Sequence, residues 1–375
     1  MSRKRSTLRD VAQKAGVTVS TVSRLLNNKP LTVPVTDTTR QRVLEAAKSL
    51  EYTPNRLARG LVAAKTHILG MSFPITSPLN RIDHRDVTYI NLGMLISGVQ
   101  NVLQARGYEL HIFNRIEHNQ HPDAPIRRMN YDFIDGLIYV EPNPCYPYYE
   151  DVAEAGLPMV MLGQTRIRHT VHTVCAEDRV EMRKLVGALI RQGRRRIAYV
   201  LNVMNEPPMD VIERMEGYSL AHKDAGIPVD PILLRRERAS EVPLAVTLDA
   251  LLTLRPAVDA LIIGRTEIGE DTLKHLLASG VRVPEDMEVV VIGDDRFFEA
   301  TRPRLSAMRL GYLERGMAAA RLLLDALEGG AEDALHMPVH WTFIERDSCA
   351  LRDAIQPADD VASNAHVQEG RITSQ

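Results

Sequence analysis

The chain has 375 residues, room for two to three domains. Its 45% hydrophobic and 25% charged residues exclude an intrinsically disordered or collagen-like polymer. No stretch reaches the ~18–20 uninterrupted apolar residues of a membrane helix. The basic start at residues 1–7 runs into Asp10, Gln13 and Lys14 rather than an apolar segment, so no secretory signal is expected. Cys145, Cys175 and Cys349 lie far apart with no CxxC pair, which argues against a zinc site or disulfide framework and for a cytoplasmic protein. The net charge of −2 hides an asymmetry. Residues 1–66 carry 13 Lys and Arg against 4 acids, a net +9, and the remaining 33 basic and 44 acidic residues leave −11. A basic head on an acidic body points to a polyanion-binding module joined to a second function.

In chain order, Thr7-Leu-Arg-Asp10 has the form of a capping box. A helix is expected from Leu8 to about Ala15, with Leu8, Val11, Ala12 and Ala15 on one face and Gly16 as its left-handed stop. Thr18 then caps a second helix, Val19 to about Leu26, with Val22, Leu25 and Leu26 turned inward. Two short helices about a glycine turn make a helix-turn-helix. The outward face of the second carries Val19, Ser20, Thr21, Ser23 and Arg24, then Asn27. These are small or polar groups that fit a major groove and reach base edges or phosphates. A third helix, about Asp37 to Leu50, is capped by Thr36, with Val43, Leu44, Ala47 and Leu50 as its stripe. The segment from Tyr52 to Leu61 is too short and glycine-weakened to be a stable helix in water, so it reads as a hinge that orders against a partner.

These residues resemble the lactose-repressor (LacI/GalR) family of bacterial transcription regulators. The resemblance rests on Thr7-Leu-Arg-Asp-Val-Ala-Gln-Lys-Ala-Gly-Val17, Thr21-Val-Ser-Arg-Leu-Leu-Asn27, Thr39-Arg-Gln-Arg-Val43 and Tyr52-Thr-Pro-Asn-Arg-Leu-Ala-Arg-Gly-Leu61. It implies that Val19 and Ser20 read bases, and that Thr21, Ser23, Arg24 and Asn27 contact bases and phosphates. Leu61 would wedge into the minor groove, with Ala58 beside it. Thr7, Arg9, Thr18, Asn55, Arg56 and Arg59 complete the expected DNA-contact set. The chain departs from the family pattern in a longer connection between Asn27 and Thr36 and in Gly60, where a larger residue is usual.

From about His67, short β-branched runs alternate with amphipathic segments, the pattern of a parallel α/β sheet with right-handed crossovers. Strands are expected at 68–73, 109–113, 136–140, 158–162, 196–201, 259–263 and 288–292. Helices are expected at about 89–106, 148–155, 180–192, 211–225, 242–254, 270–278 and 312–327. About 280 residues exceed one core, so two lobes with a cleft at the strand carboxyl ends are expected. There is no GxGxxG or Walker A pattern.

The resemblance extends more loosely over this body, to about residue 346, through Glu213-Arg-Met-Glu-Gly-Tyr218, Gly280-Val-Arg-Val-Pro-Glu-Asp286 and Val290-Val-Ile-Gly-Asp-Asp295. It implies a periplasmic-binding-protein-like core of two doubly wound parallel-sheet subdomains, with the chain crossing between them near Thr165, Asp295 and Leu327. Arg214 matches the family's effector-binding arginine, and Asp294 its late-strand acceptor. Arg265-Thr266 stands where an Asn-Asp pair is common, and Gly163-Gln164 where an Asp is frequent. Phe73, Gln164, Arg214, Arg265 and Asp294 form the candidate effector set. Losing acceptors and gaining a cation points to a sugar acid or sugar phosphate rather than a neutral sugar. His118 and His121 read as solvated loop residues rather than a metal pair, and Trp341 as core.

The expected organisation is a helix-turn-helix DNA-binding domain at 1–52, a hinge helix at 53–66, a two-lobed effector-binding and dimerisation domain at 67–350 and a disordered tail at 351–375. The tail lacks a leucine heptad, so a dimer is expected. The fold class is an all-α head followed by an α/β core. The function implied is a cytoplasmic, nucleoid-associated, homodimeric, effector-responsive regulator, expected to be a repressor, of a carbohydrate or related metabolite operon. It would bind a pseudopalindromic double-stranded operator, with no cofactor, metal, membrane or enzymatic role. The competing readings are a solute-binding protein and a cleft enzyme.

Overall fold

The computed structural model describes residues 6–26, 34–52, 65–73, 87–114, 133–140, 152, 156–163, 171–201, 209–237, 241–329, 335–351 and 355. The chain divides into two compact units, Met1–Thr66 and His67–Gln375.

In the first unit, helix α1 (Leu8–Ala15) is closed at both ends by local chemistry. The Thr7 hydroxyl accepts from the Asp10 amide, and the Asp10 carboxylate accepts the Thr7 amide at 2.7 Å. At the far end Gly16 turns left-handed (φ 63°), and the Val17 amide reaches back to the Ala12 carbonyl at 3.1 Å. Helices α2 (Val19–Leu26) and α3 (Asp37–Ser49) follow, the latter capped by Thr36. Val11, Ala12, Ala15, Val22, Leu25, Val43, Ala46 and Ala47 form the core. One expectation fails: Leu44 is 48% exposed, and Ala46 takes its place on the buried stripe. One residue past Val43, Leu44 is rotated ~100° off the packed face, whereas positions 43, 46, 47 and 50 share it.

The second unit holds two six-stranded sheets. Its elements are β1 (Ile68–Phe73), α4 (Val87–Arg106), β2 (Glu109–Asn114), β3 (Gly136–Val140), β4 (Met159–Leu162), β5 (His172–Ala176), α5 (Asp178–Arg191), β6 (Ile197–Val200), α6 (Met209–Asp224) and β7 (Leu234–Arg235). Then come α7 (Leu244–Leu252), β8 (Ala260–Ile263), α8 (Gly269–Ala278), β9 (Glu288–Ile292), β10 (Ser306–Arg309), α9 (Tyr312–Leu327), β11 (His336–Val339) and β12 (Thr342–Ile344). The first sheet has the order β11-β5-β4-β3-β1-β2 and the second β12-β10-β9-β8-β6-β7. All named pairs are parallel except β10–β12. Strands covered on both faces are continuously apolar, as in Gly136-Leu-Ile-Tyr-Val140 and Val289-Val-Val-Ile292.

The connections cross between the sheets at Glu177, at Leu310–Gly311 and at His340, not near Thr165, Asp295 and Leu327. Strand β5 still belongs to the first sheet and β10 still to the second, so the first two crossings fall later than expected. Helix α9 packs on the first sheet's Val160 and Val174 side, against α4, so the last crossing follows it. That packing needs glycine. A Cβ on Gly316 would lie 2.3 Å from the Leu95 carbonyl oxygen, and one on Gly98 2.1 Å from that of Leu313. The expected helix at 148–155 lies outside the described residues apart from Val152, which is helical and buried.

Candidate functional site

In the head, α2 presents its amino-terminal turn outward. Val19 is 40% exposed, and Thr18, Ser20 and Arg9 are exposed. The Thr18 hydroxyl accepts the Thr21 amide at 3.2 Å and lies 2.9 Å from the Thr21 hydroxyl, which holds this turn in shape. Thr21, Ser23 and Arg24 are half-buried at its flank. The face thus combines a small apolar group, hydroxyls and a cation, groups that reach base edges and phosphates. Asn27, Asn55, Arg56, Ala58, Arg59 and Leu61 lie outside the described residues.

In the second unit both sheets repeat one pattern, 2-1-3-4-5. The order reverses between β1 and β3 in the first sheet and between β6 and β8 in the second. Ligands of such folds sit at the strand carboxyl ends beside this reversal. Phe73 ends β1, and Arg265 lies two residues past β8. Asp294 lies two residues past β9, the strand paired with β8, so Arg265 and Asp294 stand on one edge. Arg214 is on α6, the helix that follows β6. Gln164 lies outside the described residues.

Each described candidate has specific partners. Arg214, 7% exposed, donates from Nε to Asp178 Oδ1 at 2.7 Å and from Nη2 to Asp210 Oδ2 at 2.9 Å. Its guanidinium carbon lies 5.4 Å from the centroid of the Trp341 ring. Burial works against its charge, but Asp178 and Asp210 outweigh burial and hold it firmly protonated. Asp178 is 4% exposed, and burial pushes its carboxyl up to about 6, with Arg214 pulling down and Asp210 pushing up. Arg265 meets Glu267 through Nε and Nη2 at 3.3 and 3.1 Å. Asp294 bridges two arginines, accepting from Arg346 Nη2 at 2.9 Å and Arg309 Nη2 at 2.7 Å. Arg346 is itself fixed, with Nε on Glu299 at 2.7 Å and Nη1 on the Leu305 carbonyl at 2.7 Å. The arginines of this edge are therefore compensated by carboxylates of the chain. Among the described residues, the buried Tyr199 Oη, Trp341 Nε1 and Arg315 Nε have no hydrogen-bond partner.

Two family models match the chain. One, described as bacterial regulatory proteins, lacI family, matches residues 7–55. The other, a periplasmic binding protein-like domain, matches residues 186–349. Together they span more than half of the sequence, and they coincide with the helical head and much of the two-sheet unit.

The chain joins a LacI-family DNA-binding head to a periplasmic-binding-protein-like body.

Its relatives include the HTH-type transcriptional regulator CelR of Thermobifida fusca, 29% identical over 92% of this chain and 99% of that protein. The catabolite control protein A of Priestia megaterium is 26% identical over 84% of this chain and 91% of that protein. Bacillus subtilis (strain 168) has a probable HTH-type transcriptional repressor, ExuR, 25% identical over 91% of this chain and 98% of that protein. Among solved structures, a complex of CelR with cellobiose matches with a TM-score of 0.63 and 26% identity over 92% of this chain and 100% of that one. A lac repressor dimer on its operator matches with a TM-score of 0.75 over 92% of this chain and 99% of that one; at 19% identity it speaks for the fold alone.

Sequence reasoning named Arg214 as a candidate but not the residues that hold it. Asp178 follows β5, whose His172-Thr-Val-Cys-Ala176 run opens on two polar residues and gives little strand signal, so the local sequence does not mark Asp178. Trp341 is core, 5% exposed as expected, but its place over Arg214 has no trace in its sequence neighbourhood. Arg309 and Arg346 were missed for the same reason: the parallel pairing of β10 with β9 sets Arg309 beside Asp294, and the antiparallel return of β12 along β10 brings Arg346 to it.

Proposed function

We propose that this chain is an effector-responsive, sequence-specific DNA-binding transcription regulator acting as a repressor in the cytoplasm. The observation that carries this reading is the union, in one chain, of an outward-facing helix-turn-helix with a doubly wound two-sheet body of the periplasmic-binding type. Val19 and Ser20 read bases in the major groove. Arg9, Thr18, Thr21, Ser23, Arg24 and Asn27 position the head on phosphates, and Thr7 shapes its first turn. Asn55, Arg56, Ala58, Arg59 and Leu61 act in the minor groove at the operator centre. Two heads on a dimer engage half-sites about one helical turn apart. The domain bounds are 1–52, 53–66 and 67–350, with a tail at 351–375.

The effector binds at the strand carboxyl edge, where Phe73, Gln164, Arg214, Arg265 and Asp294 meet it. Its class is a hydroxylated metabolite with an acidic group. The arginines on this edge support that class, since a ligand carboxylate or phosphate replaces an internal carboxylate as a two-pronged guanidinium acceptor. The relative named ExuR and the neighbour solved as a complex with cellobiose support a carbohydrate-type ligand.

Calorimetric titration with D-glucuronate, D-glucose 6-phosphate and cellobiose, repeated with an operator recovered by in vitro selection, tests the reading. An acidic ligand should bind and shift operator affinity. Tight binding of cellobiose alone refutes the ligand class, and failure to select any duplex refutes the regulator.

A further inference from the structure

Arg214 belongs to α6, within the second sheet's half of the unit, yet two of the three crossing segments close on it. Asp178 comes one residue after the first crossing and accepts from Arg214 Nε at 2.7 Å. Trp341 comes one residue after the third crossing and lies under the guanidinium. Both are buried. The same two segments are joined by His336 Nε2 and Glu177 Oε1 at 3.2 Å and by His340 Nδ1 and Glu181 Oε1 at 2.8 Å. Whatever moves Arg214 therefore pulls directly on the strands of chain that link the sheets.

We propose that Asp178 and Trp341 are positioning residues for Arg214, and that their contacts report to the crossing segments whether its guanidinium is held by the effector or by Asp178. This rests on Arg214 being an effector contact. An acidic effector group competes with Asp178 for the same donors. Losing Arg214 leaves the Asp178 carboxylate buried and uncompensated, which is strongly unfavourable. Asp178 then takes up a proton or its segment shifts, and Arg214 slides on the Trp341 face. A ligand moves an equilibrium only through its differential affinity for the two states, and the Asp178–Arg214 bond supplies that difference here.

The charges around Asp178 are those this scheme needs. From α6 it faces Arg214 and Asp210, from α9 Arg315, and from β6 the buried Tyr199 hydroxyl, with Glu177 preceding it in the chain. Its carboxyl, pushed up to about 6 chiefly by burial, is close enough to neutral pH to take the proton. Effector binding that frees Asp178 is then accompanied by proton uptake above that pH.

Trp341 is the single tryptophan of the chain, so its emission reads the joint directly. In the full-length protein, emission should change between pH 4.5 and 8 with a midpoint near 6, and Asp178→Asn should remove the change. A flat profile overturns the proposal, as does a transition that survives Asp178→Asn. Should Asp178→Asn not fold, Arg214→Lys keeps the cation but breaks the Nε bond; a midpoint moved by less than about half a pH unit overturns the proposal. With D-glucuronate as probe, wild-type affinity should fall about tenfold per pH unit above 6 and stay level in Asp178→Asn. An equal slope in both overturns the proposal. If Arg214→Lys binds D-glucuronate like the wild type, the effector reading of Arg214 fails, while the emission profile still decides the role of Asp178 and Trp341.

Discussion

At the scale of single residues, burial decides what each charge can do. Arg214 is a planar cation sealed under a tryptophan, and it is retained because two carboxylates come with it. Replacing it by alanine strands Asp178, so Arg214→Ala should lose about 3–5 kcal/mol of stability in denaturant unfolding. The double change Arg214→Met with Asp178→Leu, which removes both charges, should recover most of that. The sign of the pH effect also follows. The folded value of Asp178 lies above its unfolded value, so the native state holds the extra proton between about pH 4 and 6. Its contribution to stability is greatest below that window and is lost as pH rises through it. Urea unfolding of wild type and Asp178→Asn should therefore diverge across pH 4 to 6 and run parallel above 6.5. Asp294 illustrates a limit of sequence reading. The motif marks it as an acceptor, but in the fold it already accepts from two arginines, the buried Arg346 and the exposed Arg309.

At the scale of elements, short-range chemistry was readable and short strands were not. The capping box, the Gly16 stop and the stripe of α1 are written within ten consecutive residues, and the helix follows them. Thr7→Ala should cost about 1 kcal/mol, measured on the first unfolding transition of the head, because the Asp10 amide loses its acceptor. Strands β5, β7, β10 and β11 escaped notice because they are two to five residues long and carry His, Ser, Arg or Pro, and β12 because it is only three residues long. Such strands exist through the neighbours that pair with them. Ser306 of β10 shows why: its hydroxyl donates to the Cys349 carbonyl, which a strand pattern cannot reveal. The contact of α4 with α9 has equally little room. Gly316→Val drives a side chain into the Leu95 carbonyl and should lower the melting temperature of the body by several degrees while the head's transition stays put.

At the scale of the whole molecule, the division of charge separates two kinds of recognition. The head's excess of cations makes DNA affinity depend on counterion release, so the logarithm of the binding constant should fall linearly with that of salt, with a slope near −0.9 per phosphate contacted. A flat salt profile refutes this. Val19→Ala should change which duplex is preferred and leave the slope unaltered, whereas Arg9→Ala should reduce the slope by about one. Effector affinity should vary far less with salt, because Arg214 and its partner Asp178 are buried.

The sequence alone determined the head, its readable face, the α/β class of the body and the family, because each rests on signals between residues near in the chain: caps, helical period, charge and contiguous motif. Tertiary structure decided where the chain crosses between sheets, that Asp178 holds Arg214 and two arginines hold Asp294, and that Trp341 stands against Arg214. Those outcomes depend on strand order and on contacts between residues far apart in sequence, such as Ser306 with Cys349 or Arg346 with Asp294. A buried charge takes whichever partner the packing brings within reach, and that is settled only once the sheets are formed.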